Sequence, residues 1–170
     1  MTTGPLPTLF AELGSHFGLS RPAGLCLGAI WRAAQAPCAD DLTAALGLSR
    51  SNVSTALKEL REWGLVSVAR APADRKEYFT APADPWDMIR TAISARHRRV
   101  MAPALDRLLL AEAESPDARI AALHSALSDI ADWAGGFATL STPEVAQAFR
   151  PATTDTAKAP GKKKKKKKKA

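Results

Sequence analysis

The chain has 170 residues, a formal net charge of +7, and a residue composition that is 46% hydrophobic, so it is long enough to bury a core. No apolar run approaches the roughly 20 residues that a membrane helix needs. The N-terminal sequence MTTGPLPTLF lacks the basic-then-apolar order of a secretion signal. Two cysteines, Cys26 and Cys38, do not make a disulfide framework, so we expect a cytoplasmic protein.

The positive charge is concentrated at the C-terminus. Residues 151–170 contain nine Lys and one acid, so the first 150 residues hold 15 cations and 16 anions. Any argument for nucleic-acid binding must therefore rest on local charge. We expect this Lys-rich tail to be disordered. Its eight consecutive Lys either bind DNA non-specifically through counterion release or have no dedicated role.

Three short helices are predicted in the first part of the chain. Apolar residues at helical spacing predict a helix over residues 6–19 and a second over about residues 21–34. The sequence DDLTAALG predicts a third, in which Asp40 and Asp41 lie at the positive end of the helix dipole. Gly47 then supplies the positive φ that a tight turn often needs.

The helix that follows this turn has one apolar and one polar face. Ser49 is its expected N-cap, and the apolar residues recur every three or four positions. The polar face carries short donors and acceptors with a few cations, which suit base edges and phosphate oxygens. An ordinary amphipathic helix would share the apolar stripe, but a short helix, a Gly turn and a second helix together form the helix-turn-helix pattern. The residues expected to contact DNA from this recognition helix are Arg50, Ser51, Asn52, Ser54, Thr55 and Lys58.

A β-hairpin is predicted directly after the recognition helix. Residues 65–68 and 77–80 are typical of strands, and the link ARAPADRK between them is rich in turn residues. A hairpin in this position is the wing of a winged helix. We expect Arg70, Arg75 and Lys76 to enter a minor groove or to contact phosphates, although cations also solvate ordinary loops.

Residues 84–150 are predicted to be mainly helical. Asp84 begins a long helix that Pro103 should kink or divide, and Asp117 begins another that Gly135 and Gly136 should loosen. Amphipathic helices that follow a complete small domain need a surface to pack against, and a twofold partner supplies one. The predicted fold is mainly α with a small β-hairpin wing. Its predicted parts are an N-terminal dimerisation helix (1–20), a winged helix-turn-helix domain (21–83), a helical linker and dimerisation region (84–150) and the Lys-rich tail (151–170).

The stretches LGLSRSNVSTALKELREWGLV and DRKEYFTAPADPWDM resemble the GbsR branch of the MarR-type winged-helix regulators of bacteria, over roughly residues 6–150. This resemblance implies a homodimeric transcription factor, usually a repressor, whose first and last helices form the dimer interface and whose small ligand releases DNA. Some relatives sense choline, a cation that aromatic rings attract. Trp63, Trp86 and Trp133 are therefore candidate residues for binding choline or a betaine, although tryptophans at helix ends are also common core anchors.

Other classes of function fit the sequence less well than a DNA-binding regulator does. An enzyme is disfavoured because the His and Cys residues show no metal spacing and no nucleophile, phosphate-binding or dinucleotide motif occurs, so no catalytic residue, metal or cofactor is predicted. A purely protein-binding winged helix would need no polar helix face. A thiol sensor would use Cys38, which lies near a helix start where thiolate is favoured, but no second Cys or cation is placed to support it.

Overall fold

The computed structural model describes residues 4–70 and 75–150, so the tip of the predicted wing and the Lys-rich tail lie outside the described residues. In chain order, the elements are α1 (Pro5–Phe17), α2 (Arg21–Arg32), α3 (Ala39–Leu46), α4 (Arg50–Trp63), β1 (Ser67–Ala69), β2 (Tyr78–Thr80), α5 (Pro85–Arg96), a π-helical turn (His97–Met101), α6 (Ala102–Glu114), α7 (Ala118–Thr139) and α8 (Thr142–Ala148). The two strands form an antiparallel hairpin. The predicted fold, mainly α with a small β-hairpin wing, is confirmed.

The contact between α1 and α2 is close because small residues line it. A Cβ atom placed on Gly24 of α2 would lie 2.5 Å from the Cα atom of Ala11 in α1. Helix α1 therefore turns its small side chains toward α2. Its larger apolar residues Leu9 and Leu13 face away and are 46% and 51% exposed. The helix ends earlier than predicted, because Gly18 adopts a left-handed conformation with φ of 90°.

Local capping residues set the bounds of the helix-turn-helix. Gly47 ends α3 with φ of 65°, and Gly64 ends α4 with φ of 74°. The hydroxyl of Ser49 accepts the backbone N–H of Asn52 at 3.2 Å at the start of α4. The predicted turn glycine and N-cap are confirmed. The buried side of α4 consists of Val53, Ala56, Leu57, Leu60 and Trp63.

The second strand of the hairpin is hydrogen-bonded to the chain that leads into α3. Val68 pairs with Phe79 across the two strands, which are shorter than predicted. The backbone N–H of Phe79 donates to the carbonyl of Pro37 at 3.0 Å, just before α3 begins. The ring of Phe79 is buried in the core. These contacts hold the base of the wing beside α3 and α4.

The long helix is divided, as predicted, near Val100. Pro103 has no N–H to donate to the carbonyl four residues earlier, and the π-helical turn precedes it at this point. The expectation for α7 is wrong, because this helix continues through Gly135 and Gly136 to Thr139. The buried ring of Phe137 anchors that stretch, which offsets the cost of about 1 kcal/mol for each helical glycine.

Three arginines of α5 and the π-helical turn contact the C-terminal ends of other helices. Because unpaired carbonyls give these ends a partial negative charge, cations stabilise them. The contacts are Arg90 to the carbonyl of Ala138 (3.2 Å), Arg96 to the carbonyl of Phe17 (3.1 Å), and Arg99 to the carboxylate of Glu62 (3.0 Å) and over the ring of Trp63 (5.8 Å from its centroid). The basic run of this segment thus ties α1, α4 and α7 to one helix.

Helices α6 and α7 bury little of their apolar surface. Helix α6 has no buried residue, and even its large apolar side chains Leu109 and Leu110 are 53% and 64% exposed. On α7, Leu123, Ile130 and Trp133 are all more than half exposed. Within residues 4–70 and 75–150, no helix has the length and apolar character needed to cross a bilayer.

Candidate DNA-binding surface

The polar side of α4 is open to solvent. It begins at the N-terminal end of the helix, where Ser49 holds the first turn, and it lies opposite the buried stripe. Every residue predicted to contact DNA from this helix is exposed, namely Arg50, Ser51, Asn52, Ser54, Thr55 and Lys58. The helix therefore presents hydrogen-bonding side chains to solvent over about two turns, while its large apolar side chains lie on the buried side.

A cleft of about 290 Å³ separates α4 from the hairpin. Ser54, Lys58 and Arg61 of α4 line this cleft, and so do Phe79 of the second strand and Glu77, which directly precedes that strand. Arg61 was not among the residues predicted from sequence. Its spacing of three from Lys58 and seven from Ser54 is the helical signal that places it on the same side.

The predicted wing cations lie on the two arms of the hairpin. Arg70 follows β1 and donates to the carboxylate of Glu77 at 2.6 Å. Arg75 and Lys76 precede β2 and are exposed. Through the carboxylates of Glu77 and Asp40, Arg70 and Lys76 lie close to Arg61 and Arg50 of α4. We call the polar side of α4, including Arg61, and the hairpin cations Arg70, Arg75 and Lys76 the candidate DNA-binding surface. Its tip, residues 71–74, lies outside the described residues.

Two carboxylates belong to the same surface. Asp40 of α3 lies 3.5 Å from the guanidinium of Arg50 and 3.9 Å from the amine of Lys76. Glu77 lies 2.6 Å from Arg70 and 3.7 Å from Arg61. The sequence pattern indicates only that Asp40 lies at a helix start, because no local pattern shows that its carboxylate approaches Lys76, 36 positions later.

The three candidate tryptophans do not form one cage. Trp63 is buried in the core of the winged helix and is 4% exposed. Trp86 stacks on Phe149 at 5.8 Å between ring centroids, and Trp133 stacks on Phe137 at 5.5 Å. Phe137 and Phe149 meet edge to face, so these four rings form one aromatic cluster at the junction of α5, α7 and the C-terminal end of α8. Trp63 lies apart from it because its position on α4 faces the core.

An apolar cavity of about 170 Å³ lies between α1, α2 and α5. Phe10 and Phe17 contribute rings to it, and Met88 and Ile89 line it from α5. No charged side chain lines this cavity. This cavity could not be predicted from the sequence, because a cavity depends on how helices meet rather than on the pattern within one of them.

The thiols and potential metal ligands are poorly placed for chemistry. Burial raises the pKa of the Cys26 thiol to about 12, which keeps it protonated at neutral pH. Cys38 is 4% exposed and lies between α3 and the hairpin. Among the residues that the structure describes, no group of three His, Cys, Asp or Glu side chains is arranged to hold a metal ion. Burial of both thiols weakens the alternative of a thiol sensor.

The fold described so far is that of a winged helix-turn-helix protein. Residues 17–77, from the end of α1 to the start of β2, match the model of the MarR family. The chain is also similar to a solved structure titled "Crystal Structure of a transcriptional regulator", with 21% sequence identity, a TM-score of 0.58, and coverage of 84% of this chain and 92% of that chain. At this identity the likeness concerns the fold. No curated protein matches the chain.

Proposed function

We propose that this protein is a sequence-specific, DNA-binding transcriptional regulator of the MarR-like type, acting as a repressor. The observation that carries the proposal is the exposed polar face of α4, capped by Ser49 and flanked by a cationic hairpin. A protein-binding winged helix would have no need of this face. The match of residues 17–77 to the MarR family supports the same function.

We propose that α4 lies in the major groove and that the hairpin contacts the DNA phosphates or a minor groove. An α-helix fits the major groove, where each base pair presents a distinct pattern of donors and acceptors. In our proposal, Ser51, Asn52, Thr55 and Lys58 face base edges. Arg50 and Ser54 lie nearer to phosphates, and the hairpin cations contact the flanking duplex.

We further propose that the protein is a homodimer formed through α1, α6 and α7. The support is the set of large apolar side chains that these helices expose, including Leu9, Leu13, Leu110 and Leu123. A twofold dimer would bury these side chains and present two α4 helices to two half-sites of an inverted repeat.

The proposed effector is a small molecule whose binding changes the distance or the angle between the two α4 helices of the dimer. Such a ligand must bind one arrangement of the dimer more tightly than the other. For choline or a betaine, which the resemblance to the GbsR branch implies, the support is the aromatic cluster, because the ring of Trp133 is 57% exposed and can face a cation. Its other rings already stack on one another, so such a ligand would use the outer side of the cluster.

The DNA-binding function is tested by selection from genomic fragments of the source organism. The purified protein is mixed with sheared fragments, bound DNA is recovered at moderate salt, and both pools are sequenced. We expect enrichment of a small set of fragments that share an inverted repeat. A recovered pool with the same composition as the input would contradict sequence-specific binding.

A further inference from the structure

Two acids on the candidate DNA-binding surface each hold two cations from different elements. Asp40 meets Arg50 at the start of α4 and Lys76 of the hairpin, at 3.5 and 3.9 Å. The second acid, Glu77, meets Arg61 near the end of α4 and Arg70 at the end of β1, at 3.7 and 2.6 Å. Each carboxylate therefore bridges the recognition helix and the hairpin.

Folding stability is a weak reason for this arrangement, because at least one partner in each pair is largely exposed. The side chains of Asp40 and Arg50 are 57% and 85% exposed, and those of Glu77 and Arg70 are 31% and 70% exposed. Ion pairs of this kind contribute little to folding, because water screens them and two long side chains lose freedom. The larger consequence is electrostatic, since four of the surface's cations have an anion within 4.0 Å.

The affinity of a protein for DNA depends on the net charge that the protein places near the DNA phosphates. Each phosphate that a cation neutralises releases counterions, and this term is independent of base sequence. A carboxylate beside the same cations repels the phosphates and offsets part of that gain. The first 150 residues carry 15 cations and 16 anions, so they have no general positive field to compensate.

We propose that Asp40 and Glu77 limit the sequence-independent affinity of the folded domain for DNA, by offsetting the cations that they bridge. Both residues act through those cations, so they are positioning residues rather than base contacts. The inference rests on the proposed DNA-binding function. If Asp40 and Glu77 act in this way, DNA binding depends more on the hydrogen bonds from α4, and less on attraction to the DNA phosphates, than the number of cations suggests.

The test is the affinity of Asp40→Asn, Glu77→Gln and the double variant for a random-sequence duplex, measured over a range of salt concentrations. Removing one like charge from near several phosphates should tighten binding about threefold to tenfold at low salt. It should also steepen the dependence of log K on log salt by up to about one unit. The double variant should exceed either single variant.

Three control variants separate this effect from others. Asp132→Asn removes the same charge from the exposed side of α7 that lies opposite Leu123, and it should change binding less than about twofold, since screening limits distant charges. Asp40→Glu keeps the charge and should bind like the parent. Arg75→Ala removes a hairpin cation and should act in the opposite direction, with weaker binding and a shallower salt dependence.

The outcomes distinguish the inference from the function on which it rests. If Arg75→Ala weakens binding while Asp40→Asn and Glu77→Gln bind random DNA no more tightly than the parent, the inference is overturned and the DNA-binding function stands. If neither the parent nor any variant binds DNA, the proposed function fails as well. A gain of the same size in Asp132→Asn would assign the effect to total charge and overturn the role of the two bridging residues.

Discussion

Replacing Gly24 with alanine should destabilise the protein, although alanine favours a helix over glycine. An added Cβ would lie 2.5 Å from the Cα atom of Ala11 and 2.7 Å from the carbonyl oxygen of Phe10. Carbon atoms in contact lie about 3.5–4.0 Å apart, so α1 would have to move by about 1 Å. Because the atoms in the way belong to the backbone of α1, the overpacking cost lies at the upper end of its usual range, about 2–3 kcal/mol, and the better helix former recovers about 1 kcal/mol of it.

The net loss of about 1–2 kcal/mol should lower Tm by about 2–8 °C for a protein of this size, measured by far-UV circular dichroism at neutral pH. Gly136→Ala is the matched control. This glycine lies in helix α7 with no atom within 4 Å of an added Cβ, so the variant should raise Tm by about 2–4 °C. If Gly24→Ala also raised Tm, the close contact that joins α1 to α2 would be refuted.

Three further predictions concern pH, assembly and the effector. The backbone N–H of Cys38 donates to the carboxylate of Asp41 at 2.9 Å and lowers the pKa of that carboxyl below its ordinary value. The stabilising effect is therefore present above the ordinary pKa and is lost as pH falls through the lowered pKa, so Asp41→Asn should lower Tm at pH 7 and match the parent in strong acid. Sedimentation at micromolar concentration should show a dimer for the parent and a monomer for Leu123→Glu, whereas a monomeric parent would refute the proposed assembly. Calorimetric titration with choline and glycine betaine should give heat with the parent and none with Trp133→Ala, and no heat from either compound with the parent would rule out this class of effector.

The parts of the fold that depend on neighbouring residues were predictable from the sequence. Ser49 caps α4 and Gly47 forms the turn before it because both effects act within one turn of chain. Pro103 marked the division of the long helix for the same reason, since its missing N–H affects one carbonyl. The polar face of α4 was predictable because its exposed residues follow from where the apolar stripe lies.

Contacts between distant segments were not predictable in this way. The first helix has an apolar stripe that contains Leu9 and Leu13, yet its small residues face α2, because only they allow the close approach at Gly24. The pairing of Asp40 with Lys76 likewise depends on how the hairpin folds back. Composition gave no indication that Trp63 would be separated from the aromatic cluster.

The central claim is that the exposed face of α4 distinguishes DNA sequences. Its most direct test compares Asn52→Ala and Thr55→Ala with the parent on the enriched genomic fragment and on a shuffled duplex of the same composition. Each variant should lose about 1–3 kcal/mol of binding free energy on the fragment and much less on the shuffled duplex, while Ser125→Ala on α7 should bind both like the parent. Equal losses on the two duplexes would contradict the claim that these side chains contact base edges.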